Sequence, residues 1–304
     1  MKESFVKNKY LSVVDVVNTL FWLFMLVFYL ITFRQSAYRL YGFFLLFGLL
    51  IFQIIIIKLR KKSHKPKWIK LLLLFYPVIY LVLIFDSLHL TLPYMNPNIY
   101  DAELANIDFQ ILGVNPTVAV ESIINPYLTE LMYILYFFYF PMPLLILGYL
   151  YKKKMFRALD KSILFLFLTY YGSYLIYYLV PALGPRFYEP ISSLQQVNLD
   201  GLWLTDIIRD TINSLEHNKF DAFPSLHTAI SLTTFIIIAQ YRKNWLPVFI
   251  PIVLGIFISL IYCRYHYFID IVAGVLWTLI SFWITEKYYN RIFIKKFIPF
   301  YSEN

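Results

Sequence analysis

The chain has 304 residues, of which 60% are hydrophobic and only 15% charged, against about 45–50% and 25% in soluble domains. That surplus excludes an ordinary soluble globule, and nine glycines with a single cysteine, Cys263, exclude collagen and disulfide scaffolds. The formal charge of +9 does not point to nucleic acid, because the basic residues sit in short clusters between apolar runs, a pattern set by membrane topology.

A helix needs roughly 20 apolar residues to cross about 30 Å of hydrocarbon. In chain order, eight such spans are predicted: Val16–Phe33, Tyr38–Ile57, Ile69–His89, Tyr127–Tyr151, Ser162–Pro181, Ser225–Tyr241, Leu246–Cys263 and Tyr267–Tyr288. Lys2, Lys7 and Lys9 precede the first. Its apolar stretch exceeds the roughly 7–15 residues of a signal-peptide core and no small-residue cleavage site follows, so it reads as a retained helix. Between the third and fourth spans, Ala102–Gly113 places Leu104, Ile107, Ile111 and Leu112 at helical spacing, opposite Glu103, Asn106 and Gln110. This suits a helix in the membrane interface, serving as a packing plug or as a lipid-entry surface. A second long loop, Ala182–Phe223, joins the fifth and sixth spans.

With the N-terminus inside, 21 of the 27 lysines and arginines fall on cytoplasmic segments, and only Arg34, Arg39, Arg186, Arg209, Lys219 and Arg264 fall across the membrane. The bias sets the orientation. The fold class is therefore all-α: a polytopic membrane helix bundle of about eight transmembrane helices with an interfacial helix. Its predicted organisation is an N-terminal two-helix hairpin (1–68), a membrane domain (69–290) and a cytoplasmic tail (291–304).

Ionisable groups near membrane depth are costly, so they mark candidate functional sites. Three clusters stand out on the non-cytoplasmic side. Leu183-Gly184-Pro185-Arg186-Phe187 is a tight turn whose arginine offers a planar fork of donors for phosphate oxygens or snorkels to lipid headgroups. In Asp221-Ala222-Phe223-Pro224-Ser225-Leu226-His227, Pro224 is predicted as the first residue of a helix. The following amides would cradle an anion beside the Ser225 hydroxyl and the His227 imidazole. In Arg264-Tyr265-His266-Tyr267-Phe268-Ile269-Asp270, His266 and Asp270 lie four apart on one helix face. The carboxylate can then hold one ring nitrogen and leave the other basic. Each cluster alone is weak. Together, two histidines, an aspartate and two arginines at one end of a bundle are the parts of a phosphoryl-transfer site.

These residues resemble the type 2 phosphatidic acid phosphatase superfamily, with its arginine motif at Gly184-Pro185-Arg186, its Pro-Ser-x-His motif at Pro224-Ser225-Leu226-His227 and its final His-x-x-x-Asp motif at His266–Asp270. The stretches Tyr100–Leu104 and Asp108–Gly113, together with Phe223-Pro-Ser-Leu-His227 and Arg264-Tyr-His-Tyr267, are similar to the branch containing inositol phosphorylceramide synthases. The spacing of Asp221, Ser225 and His227 with His266, Tyr267 and Asp270 is also similar to that of sphingomyelin synthases. The resemblance covers about the last six spans. It implies a metal-independent, cofactor-free lipid phosphatase or phosphotransferase in which His266 forms a phosphohistidine, Asp270 orients it and His227 protonates the leaving oxygen. Arg186, Ser225 and Arg264 would hold the phosphoryl group, with Asp221 and Lys219 as further substrate contacts. Where the phosphatase branch carries Lys and Arg upstream of its first and last motifs, this chain has Leu179 and Leu260, so phosphate clamping would use fewer or differently placed cations, with Arg264 as the substitute, and headgroup transfer stays open beside monoester hydrolysis. The implied partner is a lipid in the membrane, reached from the non-cytoplasmic side; no oligomeric state is implied.

A competing reading is an ion- or proton-coupled transporter using Asp15, Asp86, Glu130 and Glu286, but no inverted repeat with broken helices is visible. A metal or haem enzyme is disfavoured, since His64, His89, His217, His227 and His266 show no ligand spacing.

Overall fold

The computed structural model describes residues 11–36, 38–62, 65–215 and 218–293. Lys2, Lys7, Lys9, His64, His217 and all of the tail beyond Phe293 lie outside the described residues. The architecture is all-α. Its principal helices are α1 (Val13–Thr32), α2 (Arg39–Lys61), α3 (Lys67–Ser87), α4 (Asp101–Leu112), α5 (Pro126–Phe138), α6 (Pro141–Lys152), α7 (Phe156–Leu179), α8 (Leu204–Leu215), α9 (Leu226–Tyr241), α10 (Leu246–Tyr262) and α11 (Phe268–Tyr288).

Among the described residues, six helices (α1, α2, α3, α7, α10 and α11) are long and apolar enough to span a membrane; α5 and α6, bent by 43°, add a seventh if taken as one broken span. The eight predicted spans therefore all have a helical counterpart, but two differ from a simple rod. Pro141 and Pro143 follow the break after Phe138, because proline cannot donate to the helix ladder and its ring crowds the preceding turn. The sixth, α9, has only 16 residues. At 1.5 Å per residue it reaches about 24 Å, so one of its ends stops short of the roughly 30 Å hydrocarbon.

The core is organised around α7, whose apolar window is 72% buried against 28–41% for the other long helices. It packs against α1, α6, α9 and α11. The N-terminal hairpin docks on it through Phe21, stacked on Tyr171 at 4.4 Å, and through the Tyr171 hydroxyl, which donates to Asn18 Oδ1 at 2.7 Å. On the other side, α9 lies against α11 at Gly274. A Cβ there would sit 2.6 Å from the Ser225 carbonyl, so only glycine lets the start of α9 come this close.

One end of the bundle gathers Asp15 with Arg60 and Tyr76, and Lys161 with Glu286. The start of α9 and the start of α11 lie at the other end. The four acids of the transporter reading are dispersed. Asp15 pairs with Arg60, Asp86 accepts from Tyr41, and Glu286 accepts from Lys161 and Gln240. Glu130 accepts from the amides of Leu202, Leu204 and Thr205 at the start of α8.

Candidate active site

The last helix pair builds the centre of the site. Residues Cys263–Tyr267 turn from α10 into α11, with Arg264 at φ 67°. His266 is only 4% exposed. Its Nδ1 lies 2.9 Å from the Ala222 carbonyl and 3.4 Å from Asp270 Oδ2. A carbonyl only accepts, so Nδ1 carries the proton and donates. In the neutral ring, Nε2 then holds the lone pair. It faces His227 Nδ1 at 3.3 Å, which makes His227 the donor across that gap. The arrangement joins a nucleophilic nitrogen to a proton-bearing one.

Asp270 is fully buried at the third position of α11. Its Oδ2 accepts the Tyr267 amide at 2.8 Å, so one oxygen fixes both the helix start and the imidazole. Its backbone carbonyl accepts the Ser225 amide at 3.0 Å, which ties the two histidine-bearing segments together.

α9 begins two residues later than the sequence predicts. Pro224, joined to Phe223 by a cis peptide bond, stands before the cap rather than inside the first turn. Ser225 is the N-cap, its hydroxyl accepting from Thr228 N at 3.2 Å. Ser225 is fully buried and its amide is already spent on Asp270. The amides of Leu226 and His227, in the first turn, have no acceptor within the helix. They are the donors this helix start can turn toward an anion. The start of α11 cannot do the same, because Asp108 takes the amides of Phe268 and Ile269 at 2.7 and 2.9 Å.

The bent α5–α6 pair supplies the wall behind His227, whose ring lies 4.5 Å from Tyr136 and 4.4 Å from Tyr139. The Tyr265 ring lies tilted beside that of Tyr136 at 4.6 Å, and its hydroxyl accepts from Arg186 Nη1 at 2.7 Å. Arg186 thus sits two rings from His227. The ring of Phe187 lies near both Arg186 and Lys219, at 5.2 and 4.7 Å, so these two cations gather around one ring. Asp221, half-buried, directly precedes the carbonyl that holds His266.

Arg264 points elsewhere: its Nη2 donates to Glu121 and to the Val197 carbonyl, each at 2.6 Å. Burial lowers its pKa and Glu121 works against that shift.

The interfacial helix α4 has its inward face on acids. Asp101, Leu104 and Asp108 are buried, whereas Phe109, Ile111 and Leu112 are exposed, so the apolar face predicted to run from Leu104 to Leu112 is split between bundle and surroundings. Asp101 accepts from the amides of Leu183 and Gly184, both at 2.8 Å, and from the Tyr267 hydroxyl at 3.0 Å. Gly184 holds φ 84°, and a Cβ on it would meet the Tyr265 carbonyl at 2.5 Å. One helix therefore clamps the Arg186 turn to the start of α11. Burial raises the pKa of both Asp101 and Asp108, and the amide donors offset part of the rise. A spacing of seven residues, two helical turns, puts these acids on one face, a signal present in the sequence. The Ala222 carbonyl, a main-chain group, left none.

The model of the PAP2 superfamily matches residues 104–284, which holds both histidines, Asp270 and the arginine turn. The chain belongs to the PAP2 superfamily. Over 168 residues it is 32% identical to a phosphoinositol dihydroceramide synthase of Bacteroides thetaiotaomicron, covering 51% of this chain and 54% of that protein. Over 114 residues it is 30% identical to a PA-phosphatase related-family protein of Dictyostelium discoideum, covering 35% of this chain and 20% of that one. The chain thus spans about half the length of the first relative and a fifth of the second. No solved structure matches it. Membership of the PAP2 superfamily and the apolar helices make the chain an integral membrane protein. α1, α2 and α3 lie outside the PAP2 match, so it leaves out the third of the spans and takes in the last five.

Proposed function

We propose that the protein transfers the phosphoryl or phosphoryl-headgroup portion of a membrane lipid through a covalent phosphohistidine on His266, with a hydroxyl-bearing headgroup or water as acceptor. The observation that carries this reading is the facing pair His266 Nε2 and His227 Nδ1 at 3.3 Å, with the far nitrogen of His266 held by Ala222 and Asp270. The phosphorus enters between the two rings. The Nε2 lone pair forms the P–N bond as the P–O bond to the lipid alcohol breaks, and His227 delivers its proton to the leaving oxygen. In the second half the acceptor hydroxyl attacks phosphorus, its proton passes to His227, and the P–N bond breaks to restore His266.

Arg186, Lys219 and the amides of Leu226 and His227 supply positive field for the transferring oxygens, while Ser225 sets the geometry of the helix start. A phosphate role for Arg264 requires it to exchange Glu121 for substrate. The likeness to a phosphoinositol dihydroceramide synthase supports an inositol-like acceptor or donor headgroup. The basic bias of the opposite loops supports a site facing the non-cytoplasmic side.

The test incubates purified protein with a panel of phospholipids and lipid phosphates, with and without hydroxyl acceptors, and identifies products by mass. Headgroup exchange or phosphate release supports the proposal; no conversion of any lipid overturns it. Because the field comes from side chains and amides, activity persists in excess chelator, and loss restored by magnesium refutes the metal-free chemistry.

A further inference from the structure

Beyond the catalytic region, the exposed residue that stands out is Trp203, at 85% exposure. It opens α8, whose two sides differ in chemistry. Thr205 and Ile212 turn inward, with Ile212 and Ile208 packed in the cluster around α5, whereas Leu204 and Ile207 are exposed with Trp203 on one flank. Asp206 and Asn213 are exposed on the other flank, and Asp210, three residues on from Ile207, is exposed between the two.

The height of this patch is fixed by Glu130. Its carboxylate accepts from the amides of Leu202, Trp203, Leu204 and Thr205, at 2.9, 3.3, 2.7 and 3.2 Å. The start of α8 is therefore held level with Glu130, four residues or about 6 Å along α5 from its first residue. Together α5 and α6 form a bent span of about 35 Å, only about 5 Å longer than the hydrocarbon core. Glu130 and Trp203 consequently stand near the boundary between headgroups and hydrocarbon. α5 itself presents Tyr127, Leu131, Ile134 and Phe137, all exposed, the residues such a span turns to lipid, and α8 packs against α5 with Trp203, Leu204 and Ile207 likewise exposed.

We infer that α8 is a second interfacial helix, seated with Trp203, Leu204 and Ile207 in the headgroup–acyl boundary of the non-cytoplasmic leaflet and latched to the bundle by Glu130. Tryptophan is enriched at this depth because its ring is apolar and its N–H is wet. The helix carries Asp206, Arg209 and Asp210 and no lysine, so its seating is apolar and does not depend on anionic lipid. The inference is independent of the proposed chemistry.

The test uses two variants, Trp203→Cys and Asn213→Cys, each labelled with an environment-sensitive fluorophore in the full chain in nanodiscs; native Cys263 is 1% exposed and is silent in an unlabelled control. Shallow nitroxide lipids quench the label at 203 at least twofold more than at 213. The difference is the same in zwitterionic and anionic discs and at high salt. Equal quenching at both sites overturns the inference. So does quenching at 203 that appears only in anionic discs. Burial of the 203 label by a second copy of the chain, read as energy transfer between differently labelled chains in place of lipid quenching, also overturns it. None of these readouts requires turnover.

Discussion

His227 and His266 are separated by 3.3 Å, yet the environment makes them unequal. His266 is oriented by two acceptors on Nδ1, whereas His227 is held mainly by aromatic rings. If His266 is the nucleophile, His266→Ala abolishes turnover of every substrate, since no other atom carries the phosphoryl group. His227→Ala removes a proton donor, so turnover of a lipid alcohol leaving group falls by about 10²–10⁴-fold. The loss shrinks toward unity with a nitrophenyl ester, whose leaving group needs little protonation. Steady-state rates on both substrate types decide the assignment: near-normal activity of His266→Ala sinks it. Asp270→Asn falls between the two, because the Ala222 carbonyl still holds the ring while the charge is lost. The histidines, Asp270 and Ser225 were legible because their motif spacing carries chemistry. The Ala222 carbonyl was not, since a main-chain acceptor leaves no mark on residue identity. Arg264 shows the opposite failure. Its side chain suits phosphate, but only the fold brings Glu121 within 2.6 Å of it.

Helices were easier to read than the ways they end and touch. Apolar length located every span, while the break between α5 and α6 came from prolines that a hydropathy window averages away. The α4 spacing sets Leu104, Ile107, Ile111 and Leu112 opposite Glu103, Asn106 and Gln110, which are indeed exposed, and leaves Asp101 and Asp108 unplaced; both turn inward, since α11 and the Arg186 turn present amides to them. Removing such an acceptor leaves buried donors unsatisfied, at about 1–3 kcal/mol each. Asp108→Ala, which frees two such donors, is accordingly expected to destabilise the protein by about 2–6 kcal/mol and to lower turnover by loosening the start of α11, with denaturant midpoints in detergent and rates as the measurements. Gly274→Ala acts differently. Its Cβ would lie 2.6 Å from the Ser225 carbonyl, so the start of α9 must shift. Displacing a reacting group by about 1 Å costs on the order of 10²-fold in rate. Turnover drops by about that factor while the folded helical content, followed by circular dichroism, stays near wild type; an unaffected rate shows that this contact does not set the site.

At the scale of the whole molecule, orientation follows from where the two chemistries lie. α9 and α11 run parallel to each other and antiparallel to α7, which puts Lys161, Gln240 and Glu286 together at one end and leaves the histidines at the other. Charge in the loops distinguishes these ends: the loop at 152–154 is three consecutive lysines, while the opposite loop from 193 to 203 contains no lysine or arginine. Cationic loops resist translocation, and on that ground we propose that the lysine-rich end stays in the cytoplasm and the histidine end faces away from it. α9, with 16 residues, reaches only about 24 Å; on the proposed orientation, with its Gln240 end beside Glu286 and Lys161, the shortfall would fall at its start and would put His227 a few ångströms inside the membrane surface. A lipid phosphate group at the headgroup level then meets the histidines without its tails leaving the bilayer. Two single-cysteine labels test the orientation. Gln195 is a poor site, since its side chain donates to Thr117 Oγ1; Asn198 and Lys153 are exposed. A membrane-impermeant maleimide added to intact cells labels Asn198→Cys and leaves Lys153→Cys untouched until the membrane is permeabilised. Labelling of Lys153→Cys in intact cells, or of both positions from the same side, reverses or removes the assigned topology and with it the non-cytoplasmic site.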